Sequence, residues 1–264
     1  DRSNTESVTV LGNTFTFDTS YRQQLSGFQV GLDKTSRASN GALWTLGVFG
    51  GYADAEARFK TSGDHARIKA AIGAAYLGYV KGPWFADLMV KDDLADMKVG
   101  LPSVPIDFGK QANSLGGTAT VGYHWVDAKD KLTLEPLATL AYVNTSLDDL
   151  AVPGATFNFA NGDSLRGRLA LRASRNFTDD DVVDGIIQPF ALVGVVEEFD
   201  AKNAMTITTG PNSLTLKDDP TRTLGNGQIG VNFFSQNGRS GFARGEFLFG
   251  HGTSSEAIKI GLNY

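Results

Sequence analysis

The feature that most constrains the fold is a two-residue alternation of apolar and polar side chains, which is clearest in residues 257–264. In an extended chain the apolar residues of this segment all point the same way: Ile258, Ile260, Leu262 and Tyr264. No stretch of the sequence keeps the i, i+3, i+4, i+7 spacing of an amphipathic helix. The alternation therefore predicts an all-β fold.

Turn residues divide the alternating pattern into twelve candidate strands. We expect these strands at residues 5–17, 25–33, 42–57, 66–80, 84–92, 111–126, 131–144, 164–175, 186–199, 222–235, 240–250 and 255–264. The longest apolar run is FALVGVV (190–196), which is too short to cross a membrane as a helix. Because a transmembrane strand needs only about 10 residues with every second one apolar, a membrane barrel stays possible.

The lengths of the connections favour such a barrel. Short connections (KTSRASNG, KGP, DAKD, NFTDDDVVDG and QNGR) alternate with long polar segments at 93–110, 145–163 and 200–221. Outer-membrane barrels have short turns at one end and long loops at the other, and they carry aromatic residues at the membrane interface, as Tyr264 would. The sequence therefore predicts a twelve-stranded antiparallel transmembrane β-barrel. We expect its long loops outside the cell and its termini in the periplasm.

The two faces of the predicted strands differ in chemistry. In each strand, one set of alternate residues carries apolar side chains, for example Trp44, Leu46 and Val48, or Ile68, Ala70 and Ile72. We expect the polar side chains of the other parity to line the lumen: Lys69, Asp87, Lys91, His124, Arg166, Arg168, Arg172, Gln228, Asn232, Arg244 and Glu246. Parity alone does not say which face is outside, because a soluble two-sheet sandwich shows the same alternation with its apolar side inward. The terminal tyrosine and the unequal loops favour the membrane barrel.

Three positions disturb the strand pattern. Pro136 and Pro189 lie inside predicted strands, where proline removes a ladder hydrogen bond, so each implies a bulge or a later strand start. In the first strand Val8 does not match the phase of Phe15, and a bulge at Gly12 would reconcile the two halves.

Composition limits the chemistry of the chain. Cysteine is absent from the 264 residues, which excludes disulfides, thiolate metal sites and a thiol nucleophile. A net charge of −5 argues against binding to nucleic acid, which needs a basic surface. The three histidines lie on separate segments, and no acidic run has the spacing of a calcium loop, so we expect no metal site and no cofactor.

Two alternative functions remain open at this point. An outer-membrane lipase or protease would need a histidine near a nucleophile at the barrel rim, and His251 beside Thr253, Ser254 and Ser255 is the local cluster that fits. A small passive channel is the other alternative, because a charged lumen about 10 Å wide is expected from twelve strands.

Several segments resemble the C-terminal β-domain of the autotransporters, the type V secretion proteins of Gram-negative bacteria. The resemblance covers residues 25–264. It lies in GFQVGLDK (27–34), LWTLGVFGGYADAEARF (43–59), YVKGPWFADLMVKDD (79–93), LGGTATVGYHW (115–125), LEPLATLAYV (134–143), IQPFALVGVVEEF (187–199) and IKIGLNY (258–264).

This resemblance implies one outer-membrane domain over residues 1–264 that anchors and helps to export an N-terminal passenger. It also implies that the lipid bilayer, the barrel-assembly machinery and the chain's own passenger segment are the partners, with Tyr264 as the assembly signal. Members usually carry a helix in the pore, and DRSNTE (1–6) is too short to supply it. We expect no enzymatic turnover. Some members cleave their passenger linker with lumen carboxylates, but we do not transfer that role to Asp87 or Glu246.

Overall fold

The computed structural model describes most of the chain as antiparallel β-structure. The described residues are 1, 5–10, 13–18, 20–101, 106–127, 129, 131–152, 154–179, 183–202, 204–217, 223–250 and 252–263. Among them there is no helix long and apolar enough to cross a membrane. The prediction of an all-β, antiparallel fold is confirmed.

The strands within these residues are numbered in chain order. They are β1 (Thr5–Val10), β2 (Asn13–Asp18), β3 (Tyr21–Arg37), β4 (Leu43–Phe59), β5 (His65–Lys81), β6 (Trp84–Leu101), β7 (Ile106–Tyr123), β8 (Trp125–Asp127), β9 (Leu132–Leu147), β10 (Leu150–Val152), β11 (Ala155–Phe159), β12 (Gly162–Arg175), β13 (Phe177–Asp179), β14 (Val183–Lys202), β15 (Ala204–Thr209), β16 (Asn212–Lys217), β17 (Thr223–Ser235), β18 (Ser240–Gly250) and β19 (Thr253–Asn263).

A single curled sheet contains most of these strands. Its order is β3-β4-β5-β6-β7-β9-β12-β14-β17-β18-β19, and every neighbouring pair is antiparallel. The short strand β8 extends the ladder along β9, and β13 extends the ladder along β14. We call the end with connections 38–42, 82–83 and 236–239 the turn end, and the opposite end of the strands the loop end.

Asp1 lies between the two outer strands of this sheet at the loop end, whereas β19 ends at the turn end. The prediction that both termini lie on the short-turn side is therefore wrong for Asp1. Within the described residues no ladder joins β3 to β19. The amino group of Asp1 donates to the Ser254 carbonyl (2.7 Å), and the Ser254 amide donates to the Asp1 carbonyl (2.9 Å). The Asp1 carboxylate contacts Arg22 (3.3 Å) and Lys60 (3.6 Å). A reciprocal pair of backbone bonds is the pattern of an antiparallel ladder, so Asp1 occupies the position of a strand residue beside β19.

The prediction of one first strand over residues 5–17 is wrong. Residues 5–18 form a separate hairpin in which β1 pairs only with β2, from Thr5 opposite Asp18 to Val10 opposite Asn13. The phase break in the sequence therefore marks a reversal of the chain, and the bulge expected at Gly12 falls in residues 11–12, outside the described residues. The path of the principal sheet therefore contains eleven strands in sequence order, and the first of them begins at residue 21.

Two of the three predicted long loops contain a sheet of their own. Strands β10 and β11 lie within 145–163, β15 and β16 lie within 200–221, and the four pair in the order β10-β11-β15-β16. The third predicted loop, 93–110, is mostly strand, because β6 and β7 stay paired from Trp84 opposite Tyr123 to Leu101 opposite Ile106. Polar residues here prolong a hairpin beyond the apolar part of the sheet.

One face of the principal sheet is a belt of exposed apolar side chains. In the middle of the strands they are between 51% and 67% exposed: Leu46, Val90, Leu140, Leu169, Val193 and Ile229. Aromatic side chains border the belt, with Trp44 against Tyr79 (4.6 Å between ring centroids) at the turn end. Tyr52 follows Trp44 on β4 by eight residues, which is about 20 Å across a bilayer for a strand tilted near 40°. This spacing fits the apolar layer of an outer membrane.

The two strand prolines interrupt the ladder without shifting its register. Pro136 lies opposite the gap between β7 and β8, where Gly122 pairs with Leu137 and Trp125 with Leu134 in continuous register. Pro189 lies opposite the gap between β12 and β13 in the same way. The expected bulge or later strand start at each proline is wrong, because the strand begins before the proline and the facing strand loses its pairing only locally and then resumes it. The described register shifts of these strands fall instead between Leu165 and Arg166 and between Thr178 and Asp179.

Candidate functional site

The register brings the predicted polar residues of different strands onto one face. Asp87 pairs with Thr120, Thr120 with Thr139, and Thr139 with Arg168, so one row of side chains crosses four strands on the same side. Arg168 on β12 also interacts electrostatically with Glu246 on β18, across two intervening strands. Side chains of non-neighbouring strands can meet only on the concave side of a curled sheet, so this face is the concave one.

Ten of the eleven predicted lumen residues share this concave face. Their positions follow from the pairings of β6, β7, β9, β12, β14, β17 and β18 and from the contact of His124 with Glu135: Asp87, Lys91, His124, Arg166, Arg168, Arg172, Gln228, Asn232, Arg244 and Glu246. The exposed apolar belt lies on the other side. That these ten line a water-filled lumen stays a prediction.

The prediction for Lys69 is wrong. Lys69 pairs with Asp54 on β4 and with Asp96 on β6, and both of these residues lie on the convex face with Tyr52 and Leu94. Ile68, Ala70 and Ile72 lie on the concave face instead. Alternation fixes which residues of a strand share a face, but it does not decide which face is concave. On β5 the apolar set consists of small and branched residues that fit either side.

A buried carboxylate organises the turn end of the concave face. Glu135 is only 6% exposed, and its two oxygens bind different partners. One lies 2.8 Å from Nε2 of His124, and the other accepts a hydrogen bond from the Arg172 guanidinium. The His124 ring stacks on Phe85 (4.8 Å between centroids), and the guanidinium lies over the ring of Phe190 (4.4 Å).

This cluster continues through amide side chains to the next strands. Arg172 donates to Oε1 of Gln188 (3.3 Å), and the amide of Asn232 donates to the same oxygen (2.9 Å). Gln188 donates in turn to Oδ1 of Asn176 (2.8 Å). We call Glu135, His124, Arg172, Gln188, Asn176 and Asn232 the turn-end network. It joins side chains from β9, β12, β14 and β17 with those at the two ladder gaps.

His124 and Asn176 enter this network from the two ladder gaps. His124 lies in the gap between β7 and β8, and its amide bonds the Pro83 carbonyl (2.7 Å), which continues the β6–β7 ladder. Asn176 lies in the gap between β12 and β13, and its amide bonds the Lys131 carbonyl (3.2 Å), which continues the β9–β12 ladder. Each of these residues therefore stays in the ladder of one neighbouring strand, and alternation places both side chains on the concave face.

A second set of ion pairs lies nearer the loop end. Glu198, 5% exposed, accepts hydrogen bonds from Nε of Arg166 (2.9 Å) and from the Ser164 hydroxyl (2.8 Å). Glu246 binds Arg244 (2.9 Å) and Lys259 (2.7 Å). The concave face therefore carries paired charges both at the turn end and nearer the loop end.

Arg168 differs from its neighbours because its charge has no direct ion-pair partner in the described residues. Its guanidinium donates one long bond to the Thr139 hydroxyl (3.3 Å), and its buried Nε has no hydrogen-bond partner there. A cation in mid-wall with an unsatisfied donor is available to a carbonyl or carboxylate that enters the concave side.

The predicted lumen residues did not include six members of these clusters: Glu135, Ser164, Asn176, Gln188, Glu198 and Lys259. Four of these lie on β9, β14 or β19, for which no lumen residue was predicted, and Ser164 is two residues from Arg166 on the same side of β12. Alternation applied to every strand would have found these five. Asn176 lies in a predicted short connection, and no sequence signal marks it.

Among the described residues no group of three or more histidine, aspartate or glutamate side chains is placed to hold a metal ion. Asp87 and Glu246 lie on different strands of the concave face, with Glu246 held by two cations. His251 and Tyr264 lie outside the described residues, and Ser254 is engaged by Asp1 through its backbone.

Comparisons with known proteins agree with this geometry. A family model described as the autotransporter beta-domain matches residues 8–246. No curated protein sequence matches the chain.

Three solved structures share the fold. The β domain of the Bordetella autotransporter BrkA is 21% identical, with 92% of this chain and 88% of that chain covered and a TM-score of 0.67. The transport unit of AIDA-I from Escherichia coli is 18% identical, with coverages of 92% and 82% and a TM-score of 0.69. The translocator domain of NalP from Neisseria meningitidis is 15% identical, with coverages of 92% and 82% and a TM-score of 0.67.

Proposed function

This chain belongs to the autotransporter β-domain family of outer-membrane translocators, and we propose that its concave face lines the water-filled route that holds an N-terminal passenger segment. Residues 1–264 act as one domain in this proposal. The domain performs no turnover. The loop end faces the outside of a Gram-negative cell, and the turn end faces the periplasm.

The observation that carries the proposal is the division of chemistry between the two faces. The convex belt exposes leucine, valine and isoleucine, while the concave face carries arginine, lysine, aspartate and glutamate in paired clusters. Charged groups on a lipid-facing surface are destabilising, whereas in an aqueous lumen they keep their hydration. A hydrated wall lets a polypeptide lie against it without losing the hydrogen bonds of its backbone to water.

The position of Asp1 supports an entry point for the passenger segment. Its backbone already pairs with Ser254, and its carboxylate reaches Arg22 on β3. A chain that leads into Asp1 and keeps this antiparallel pairing runs along β19 from the turn end to the loop end. In the proposal this connection links the passenger to the barrel between β19 and β3.

Cross-linking tests the route directly, because the chain contains no native cysteine. One cysteine is placed in the passenger-bearing protein upstream of the stretch that would pair with β19, and a second replaces either Gln228, on the concave face, or its neighbour Ile229, on the convex face. We expect a short bis-maleimide to join the passenger segment to residue 228 and not to residue 229. Equal cross-linking at both positions, or cross-linking at 229 alone, would contradict the proposal.

Orientation is tested with two further single-cysteine variants on intact cells. Asn40 lies in a turn-end connection, and Ser62 lies between β4 and β5 at the loop end. A membrane-impermeant maleimide should label Ser62→Cys and leave Asn40→Cys unlabelled until the outer membrane is opened. Labelling of Asn40→Cys alone would reverse the proposed orientation.

The barrel-assembly machinery is the proposed partner for insertion, and Tyr264 is its proposed signal. Tyr264→Ser should lower the amount of folded domain in the outer membrane while leaving refolding in detergent unchanged. The matched control Tyr52→Ser lies within the belt. It should affect folding in cells and refolding in detergent to the same extent.

A further inference from the structure

A cavity of about 540 Å³ opens on the convex face just beyond the apolar belt, at the loop end of β5, β6 and β7. Its lining includes Arg67, Lys69, Asp96, Lys98, Gln111 and Asp148. Two cross-strand rows form its wall. Lys69 pairs with Asp96 and Asp96 with Gln111 in one row, and Arg67 pairs with Lys98 and Lys98 with Gly109 in the other.

The depth of the cavity places it in the headgroup layer. Leu94, 60% exposed, is the last large apolar side chain on the convex face of β6, and Asp96 follows two residues later, about 7 Å along the strand. The polar layer on each side of a bilayer is about 5–8 Å thick. The cavity is therefore level with the headgroups of the leaflet at the loop end.

Two lysines of the cavity have no direct ion pair among the described residues, although Lys69 lies opposite Asp54 and Asp96 and interacts electrostatically with Asp54. Arg67 is held by Asp54 through two bonds (2.6 and 3.0 Å), but within the described residues neither Lys69 nor Lys98 has an ion pair or hydrogen bond. Arg67 and Lys98 are directly opposite each other, an arrangement of like charges that is destabilising unless an anion lies between them. Gly109 adds no side chain to fill the space beside Lys98.

The remaining lining suits hydroxyl donors. Asp96 and Asp148 accept hydrogen bonds, and Gln111 both donates and accepts. The backbone amide of Asp148 donates a hydrogen bond to the Gln111 carbonyl (3.2 Å). This bond keeps Asp148 next to Gln111 in the cavity wall. Two free amino groups beside two carboxylates match a phosphate that carries neighbouring hydroxyls.

We propose that this cavity binds the headgroup of a membrane lipid, with the phosphate at Lys69 and Lys98 and headgroup hydroxyls at Asp96 and Asp148. The inference rests on the insertion of the domain in a bilayer and is independent of passenger export. It assigns a binding role to Lys69, whose convex position separates it from the other charged residues discussed above.

Native mass spectrometry of the domain in detergent tests the proposal with defined lipids. Phosphatidylglycerol supplies a phosphate and two hydroxyls, phosphatidylmethanol supplies the phosphate alone, and phosphatidylcholine masks the phosphate with a cation. We expect one retained phosphatidylglycerol, weaker retention of phosphatidylmethanol and no specific retention of phosphatidylcholine.

Matched variants distinguish specific binding in the cavity from general attraction of lipid to surface charge. Lys69→Ser with Lys98→Ser should weaken retention of phosphatidylglycerol about tenfold or more, because two charged hydrogen bonds are lost. Lys34→Ser with Lys81→Ser removes two convex lysines at the turn end and should leave retention unchanged. Asp96→Asn with Asp148→Asn should abolish the preference for phosphatidylglycerol over phosphatidylmethanol.

Three results would overturn the proposal. They are equal retention by the wild type and the Lys69/Lys98 variant, an equal loss in the Lys34/Lys81 control, and an unchanged lipid preference in the Asp96/Asp148 variant. The heat-dependent gel shift of a folded barrel confirms that each variant is folded before it is measured. Surface display of a passenger should be normal in all three variants, so a failure of this proposal is distinct from a failure of the translocator proposal.

Discussion

Replacing Arg172 by methionine should destabilise the barrel more than the same replacement at Arg168. Arg172 binds Glu135, which is 6% exposed and would retain only His124 as a direct partner. Removing one member of a fully buried ion pair costs about 3–5 kcal/mol. Because the Arg172 and His124 side chains are partly exposed on the concave side, water can reach the carboxylate, and we expect about 2–3 kcal/mol.

Arg168 is the matched control, four residues away on the same strand and face. It donates a single bond of 3.3 Å and already carries a buried Nε without a partner in the described residues, so Arg168→Met should change stability by less than about 1 kcal/mol. Combining Glu135→Gln with Arg172→Met should recover at least about 1 kcal/mol, because no carboxylate is then left unpaired. Reversible urea unfolding in detergent measures all three. Equal losses at Arg172 and Arg168 would refute the role given to the turn-end network.

Three further predictions concern other parts of the molecule. Hydrogen bonds from the Ser20 hydroxyl, the Thr61 hydroxyl and the Ser20 amide lower the pKa of Asp18 from 3.8 to about 2. The contact between the hairpin and the β4–β5 connection should therefore be intact above pH 4 and weaken as the pH falls toward 2, as amide exchange of Ser20 would report, and Asp18→Asn should remove this dependence. Val90→Arg should cost about 2–4 kcal/mol in urea unfolding, and Met89→Arg on the concave face should cost far less; equal costs would contradict the assignment of faces. Gly47→Val should destabilise the barrel by about 1–3 kcal/mol, since a Cβ at Gly47 overlaps a tyrosine ring on the next strand, and an unchanged urea midpoint would show that the ring has room to move.

The strands from residue 21 onward could be read from the sequence because one rule governs them. A strand with lipid on one side and water on the other must alternate, so its position and parity are visible without any partner. The same rule explains the error at Lys69. The surrounding alanines of β5 carry no information about which side faces lipid, and only the pairing with Asp54 and Asp96 decides it.

The hairpin at 5–18 and the second sheet could not be read in this way. Their strands are three to six residues long, which is too short for a clear alternating pattern. The second sheet also depends on partners that are distant in the sequence, such as Phe157 opposite Ile207. The turn-end network joins side chains from several strands, and alternation within one strand does not show which side chains of other strands lie next to it. Local patterns specify the wall of the barrel, whereas contacts between distant segments specify what is attached to it.

The central claim is that the two faces of this sheet meet different solvents, and quenching along one strand tests it most directly. Single cysteines at residues 191–196 of β14 carry a fluorophore in a lipid bilayer that contains either brominated lipid or aqueous iodide. The account predicts that lipid quenches the odd positions and iodide quenches the even ones, with a period of two residues. Quenching by iodide at every position, or by lipid at the even positions, would contradict it.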